Sequence, residues 1–406
     1  MTATSPTAVS PNVTPLGQDA AVMGLVGLAH ATSHFSHLLL APFFPIFMAE
    51  FGLSFSDMGL LMSIFFVVSG SGQALSGFVV DRLGARPVLF GAVGLFLAAA
   101  LVGSMASGYA GLVVVAILAG AGNAPFHPVD FTILNQRVSA PRLGHAFSVH
   151  GLTGNLGWAM APVFLVGISS FAGWRTAYLA AAGLYLCVLG VLFWQRDKLL
   201  TQPVIRLPDA PKGSDVAFLK LPVVWWCFGF FFLSTMTLAV VQSFGPSILK
   251  AVHGASLELA TLTLTAYMLC GAFGMLVGGF VATQRAQSAQ TVAWAMGAGA
   301  ILLLICATGL LGAVGTMVGL ALTGFAVGIG GPSRDMMIKR ATPKGATGRV
   351  YGTVYAGLDL GFAVSPVLFG AFMDRGMYAA TLAGAAIFLL LAVVAAVGVG
   401  SRTLAQ

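Results

Sequence analysis

Three histidines, His30, His34 and His37, recur at i, i+4 and i+7 inside an apolar run. Residues at that spacing share one stripe of a helix. Histidine titrates near neutral pH, so the stripe suits proton carriage or substrate hydrogen bonding, and equally packing or metal ligation. No acid or cysteine joins the stripe locally, and no metal site is expected. The stretch "LAGAGNAPFHPVDFTILNQR" adds His127 and Asp130, three residues apart and therefore on a common face. His150 and Asn155 follow, then Gln242, Arg334, Asp335, Tyr355 and Asp359. An ionised residue at the centre of a membrane helix costs about 2.5–3.5 kcal/mol on insertion scales, so such groups turn to a cavity or a partner. Arg334, Gln242, His34, His37, His127, Asn155 and Tyr355 are read as substrate-binding, and Asp130, Asp335 and Asp359 as proton-coupling. Arg334 and Asp335 are adjacent and point about 100° apart on a helix, so they are not expected simply to neutralise each other; at least one needs a partner on another span, with Asp359 and Asp130 as candidates. A cavity arginine suits an anion, because guanidinium grips carboxylate or phosphate with two parallel bonds.

The elements that carry these groups follow from composition. Of 406 residues, 58% are hydrophobic and 8% charged, against about 25% charged in soluble domains. So apolar a chain needs lipid as its solvent. Scanning for apolar runs gives an all-α membrane protein with twelve spans: 22–48, 57–80, 87–107, 110–136, 144–168, 174–194, 221–249, 257–281, 290–309, 313–338, 348–372 and 377–400. Residues 1–21 read as a disordered tail, 195–220 as a polar linker between two six-helix bundles (22–194 and 221–400), and 401–406 as a second tail. Lysines and arginines gather in the loops on one side, which places both termini in the cytoplasm. The net charge of +7 is then a topology signal, with no support for nucleic-acid binding. Cys187, Cys227, Cys270 and Cys306 sit in apolar runs and read as small buried hydrophobes.

The two bundles share a pattern. At an offset of 204 residues, Pro42 falls on Pro246, Gly120 on Gly324, Pro128 on Pro332, Gly144 on Gly348, Gly157 on Gly361 and Pro162 on Pro366. These are the residues that a duplicated backbone would repeat. The same offset maps Asp130 onto Arg334, Asn155 onto Asp359 and Leu38 onto Gln242. Asp130 and Arg334 are therefore expected to face each other across a pseudo-two-fold axis, with Pro128 and Pro332 breaking both helices nearby.

Between spans 2 and 3 stands "GFVVDRLGARP", with Gly77, Asp81, Arg82, Gly84 and Arg86. It resembles the loop signature G-x-x-x-D-R-x-G-x-R of the major facilitator superfamily, as "FAGWRTAYL" (Phe171 to Leu179) resembles that family's entry into span 6. The second-half counterpart, "GGFVATQRAQ", lacks the aspartate. "SHFSHLLLAPFFP" and "FHP" resemble the fosmidomycin-resistance type within the superfamily. The resemblance implies two bundles that rock about a midplane site, and a rim cluster that locks the halves near the start of span 11. The expectation is a monomeric, proton-coupled secondary transporter of a bacterial-type inner membrane, symporter or antiporter, for a small organic anion, without cofactors. Proton-driven efflux of a drug or metabolite is the alternative. An intramembrane enzyme or receptor is the remote one: no H-E-x-x-H, nucleophile elbow or phosphate loop stands in the sequence.

Overall fold

The computed structural model describes residues 14–53, 55–203, 214–255, 257–284, 288–343 and 346–403. Parts of the expected tails and linker (1–13, 204–213 and 404–406) lie outside the described residues. No strand occurs among the described residues. The helices are α1 (Leu16–His37), α2 (Phe44–Phe51), α3 (Phe55–Leu83), α4 (Ala85–Met105), α5 (Tyr109–Asn123), α6 (Phe126–Arg137), α7 (Leu143–Ala172) and α8 (Trp174–Trp194) in the first half. The second half holds α9 (Pro222–His253), α10 (Leu257–Gln284), α11 (Ser288–Ala307), α12 (Gly312–Ala341), α13 (Thr347–Asp374) and α14 (Tyr378–Thr403).

Among the described residues, eleven helical stretches are long and apolar enough to cross a membrane. The expected first span is the exception, because its polar stripe lowers its hydropathy and its helix is interrupted. After His37 the chain passes through a 3-10 turn, Ala41–Phe43, before α2 resumes. Span 4 is likewise two helices, α5 and α6. Pro125 and Pro128 stand close together, and neither can donate a backbone N–H. The break falls at Ala124–Pro125, whereas α12 runs straight through its single Pro332. The expected pair of matched breaks at Pro128 and Pro332 is therefore corrected: one helix breaks, and earlier than Pro128, while its repeat mate does not.

Two of the tightest turns are single glycines. Gly84 (φ 82°) joins α3 to α4, and Gly173 (φ 81°) joins α7 to α8. An L-residue in that left-handed region is strained, and glycine is not.

Within the first half α1 packs on α7, and α4 on α5 and α8; within the second α10 packs on α12, α9 on α13, and α11 on α14. The halves meet chiefly along α3 with α13 and α7 with α10. Both seams use glycine. A Cβ on Gly77 would stand 2.3 Å from the Gly348 carbonyl, and one on Gly279 would stand 2.0 Å from Ser148 Oγ. Small residues let helices approach closely where lipid supplies no hydrophobic drive.

Residues 16–21 belong to α1, so the expected tail is helical there. Buried Asp19 holds this end in place: it accepts hydrogen bonds from the Thr14 hydroxyl and Ser139 N–H and pairs with Arg142 at 2.7 Å. Burial raises its pKa, but the hydrogen bonds from Thr14, Arg142 and Ser139 together hold the carboxyl below its usual range. The linker is also anchored where it begins, since Thr201 Oγ1 accepts from the Ala85 N–H at 2.7 Å and Gln202 N–H donates to Gln136 at 2.8 Å. On the opposite side Glu50 accepts from Trp174 Nε1 (2.7 Å) and Arg175 (2.9 Å), tying α2 to α8. Of the four cysteines, Cys227 and Cys306 are buried as expected; Cys187 is exposed and Cys270 half-buried.

Candidate functional site

The histidine stripe of α1 turns inward against α6 and α7. His150, on α7, donates from Nε2 to Asp130 Oδ2 at 3.1 Å. His30 Nδ1 lies 3.0 Å from the same oxygen, within ion-pair range but not aligned as a hydrogen bond. The His30 and His150 rings stack with centroids 3.5 Å apart; His34 lies 4.4 Å and His127 5.5 Å from His30. Gly154 makes the space, because a Cβ there would stand 2.8 Å from His34 Nδ1 and 3.0 Å from His30 Nε2.

One turn further along, His37 is fixed on both ring nitrogens. Trp158 Nε1 donates to its Nδ1 at 3.2 Å, so Nε2 carries the hydrogen and donates to Asn123 Oδ1 at 2.9 Å. From there the chain of hydrogen bonds crosses between the halves. Asn123 Nδ2 donates to Ser69 Oγ (2.8 Å), and Ser69 donates to Asp359 Oδ2 (2.9 Å). Gln73 Nε2 donates to the same oxygen at 3.1 Å, which leaves Gln73 Oε1 to accept from His127 Nδ1 at 2.5 Å. Asp359 is the second-half member of this network, and Gly70 gives it room on α3.

A second-half cluster abuts it. Arg334 donates from Nε to Asp335 Oδ1 (2.8 Å) and from a terminal nitrogen to Oδ2 (3.1 Å), a two-pronged pair. Tyr355 Oη donates to Asp335 Oδ1 at 2.6 Å, and the Tyr355 ring lies 4.1 Å from His127. The guanidinium stands 4.8 Å over the Phe231 ring. Asp335 is 2% exposed but Arg334 20%, so the cation keeps one open side.

At the rim Asp81 accepts from the Gly348 N–H (3.1 Å) and pairs with Arg349 Nε (2.7 Å). The carboxylate thus sits at the N-terminus of α13, where unpaired N–H groups and the helix dipole favour negative charge. Gly77 permits the approach, and Gly84 shapes the turn. Arg86 lies 3.8 Å from Asp197 in the linker.

Two sequence readings need correction. Arg334 and Asp335 do neutralise each other, because a long guanidinium side chain curls back across the 100° that separates the Cβ vectors. Asp130 and Arg334 form no ion pair among the described residues; each takes partners from its own half. Asn155 and Gln242 lie apart from the network, donating to Met275 (3.5 Å) and Met268 (3.9 Å) sulfurs. The structure adds Ser69, Gln73, Asn123 and Trp158. Their signal was present as polar groups inside apolar runs, but uncharged residues attract less notice than charged ones.

The model of the Major Facilitator Superfamily matches residues 26–316. The probable sulfoacetate transporter of Cupriavidus necator is 23% identical over 379 residues, 87% of either chain. The probable L-galactonate transporter of Escherichia coli is 24% identical over 249 residues, 57% of this chain and 54% of that one. The fosmidomycin resistance protein of Escherichia coli is 22% identical over 266 residues, 64% of each. Among solved structures, the proton:xylose symporter bound to 6-bromo-6-deoxy-D-glucose superposes with a TM-score of 0.78 at 14% identity, covering 93% of this chain and 95% of that one. That likeness concerns the fold.

Proposed function

Because this chain belongs to the major facilitator superfamily, and is thus a multi-pass membrane transporter, we propose that it moves a small organic anion coupled to protons. The observation that carries the reading is the Arg334–Asp335–Tyr355 set, a guanidinium with one open side beside the seam between the halves. At rest Asp335 occupies both prongs of the fork. A proton on Asp335 removes that counter-charge and frees the guanidinium for a carboxylate or sulfonate, which accepts the same two bonds. Anion and proton then bind together, which is the condition for coupling. Tyr355 and His127 flank the anion, with His34, Asn155 and Gln242 further along the cavity wall; His37 is held by Trp158 and Asn123 and orients the wall. Asp359, bonded across the seam to Ser69 and Gln73, is the second proton-coupling acid and links protonation to rocking of the halves.

The names of the relatives support an anion: sulfoacetate and galactonate are acids. Efflux is the second reading, favoured by the relative named for fosmidomycin resistance. The protein acts as a monomer in a bacterial-type inner membrane with both termini cytoplasmic, a placement supported by Arg82, Arg86, Arg137, Arg142 and Arg196 near one set of helix ends.

The test is a proteoliposome assay of sulfonates and sugar acids with a pH gradient imposed in either sense. Gradient-dependent anion movement, with its favoured direction separating uptake from efflux, is expected. Movement of neutral or cationic solutes alone would overturn the reading.

A further inference from the structure

The polar groups of the first half are more numerous than the anion cycle requires. Asp130 is wholly buried, and its ion-pair partners among the described residues are His30 and His150. A buried carboxylate needs a counter-charge. Three atoms of the cluster, His30 Nδ1, His34 Nδ1 and Asp130 Oδ1, are buried without a hydrogen-bond partner among the described residues. Donor atoms of His30, Asp130 and His150 all lie within 4.8 Å of one another, as do those of His30, His34 and His127. His30 is common to both sets.

We propose that His30, Asp130 and His150, completed by His34 or His127, form a binding site for a divalent first-row transition metal such as Zn²⁺, Co²⁺, Ni²⁺ or Mn²⁺. Metal–ligand bonds from histidine nitrogen and carboxylate oxygen are about 2.0–2.2 Å. Two ligands of one ion therefore stand about 3.0 Å apart in octahedral and about 3.4 Å apart in tetrahedral geometry. The Asp130 distances of 3.0 and 3.1 Å to His30 and His150 match the edge of such a shell. Imidazole and carboxylate are borderline and hard donors, which suits these ions and disfavours copper(I). The cation also supplies the charge that Asp130 lacks. Gly154 completes the cradle, since any side chain there would fill the space that His30 and His34 now occupy. The three supporting elements differ: α1 brings the stripe, α6 the carboxylate, and α7 both His150 and the glycine. A local spacing motif could not have shown it. His30, Asp130 and His150 take no part in the anion reading and make no hydrogen bond or ion pair to Arg334 or Asp335 among the described residues; the completing His34 or His127 is shared with it.

The full chain, purified without a histidine tag and stripped with chelator, is titrated with each metal salt by calorimetry, and with Co²⁺ by visible absorption. One equivalent of tightly bound metal with ligand-field bands is expected. His150→Ala and Asp130→Asn should each lose more than about 100-fold in affinity, beyond the 10–100-fold typical of groups that merely support ligands. His253→Ala, at the far end of α9, should bind as the parent does. Should a variant fail to fold, the parent spectrum decides: Co²⁺ bands at one equivalent support the site. No saturable binding by the folded parent, or binding that survives both substitutions, overturns it.

Discussion

At the scale of residues, Arg334 and Asp335 form a competition that substitution can resolve. Arg334→Lys keeps the charge but offers a point donor in place of the planar fork. It should weaken anion binding by more than about tenfold, since one charge-assisted hydrogen bond contributes about 1.5–3 kcal/mol. Thermal shift with a sulfonate ligand reads this directly. Asp335→Asn leaves the fork unopposed by a full charge: anion counterflow should persist, and accumulation driven by a pH gradient should vanish. If Asp335→Asn still accumulates substrate up a gradient, the coupling proton resides elsewhere, with Asp359 next to test. Asp359→Asn keeps the acceptor oxygen for Ser69 and Gln73 but cannot titrate. Sequence named all three acids, but not who holds them. Residue type and depth are written in one helix, whereas partners come from others. Asp130 was placed opposite Arg334 by symmetry; His30 of α1 and His150 of α7 captured it first.

At the scale of elements, the apolar runs made the spans legible, and the breaks in spans 1 and 4 were less so. Backbone continuity depends on which donors a proline removes and what takes up the freed carbonyl. The α1–α7 contact is easier to predict. A Cβ on Gly157 would stand 2.2 Å from the Ala31 carbonyl, whereas Gly167 on the same helix has nothing within 4 Å. Gly157→Ala should lower the thermal midpoint, by an amount corresponding to about 1–3 kcal/mol of overpacking, and Gly167→Ala should leave it unchanged or raise it. Equal effects at both positions would show that helical propensity, rather than the close approach, governs α7. The start of α1 adds a pH dependence. Asp19 has its pKa depressed in the folded protein, so its contribution is complete above the ordinary carboxyl value and lost as pH falls through the lower folded value. Asp19→Asn should therefore be less stable than the parent near neutral pH, with the gap closing below about pH 4. A gap that widened in acid would contradict the assigned sign.

At the scale of the whole molecule, the duplicated plan and the unequal use of its two seams are the determining features. The glycine and proline register marked two similar halves, yet that shared register implied neither equal backbones nor equal chemistry. The α3–α13 seam carries Asp359 with Ser69 and Gln73, and at its rim Asp81 with Gly348 and Arg349. Among the described residues, the α7–α10 seam offers Asn155 the weak acceptor of Met275 sulfur. If the charged seam opens at its rim for substrate to pass on that side, as we propose, Asp81 is expected to act on the balance between states rather than on the anion. Its charged bond to Arg349 contributes about 1.5–3 kcal/mol, which corresponds to a shift of about ten- to hundredfold in the population closed there. Asp81→Asn should deplete that closed state and slow net transport in proteoliposomes, while substrate affinity measured by titration stays within a few-fold. Gly77→Val should act in the same direction through geometry, since its side chain cannot coexist with the Gly348 carbonyl. A large loss of affinity with normal turnover in Asp81→Asn would move this carboxylate from the rim to the binding site, against its partners on α13.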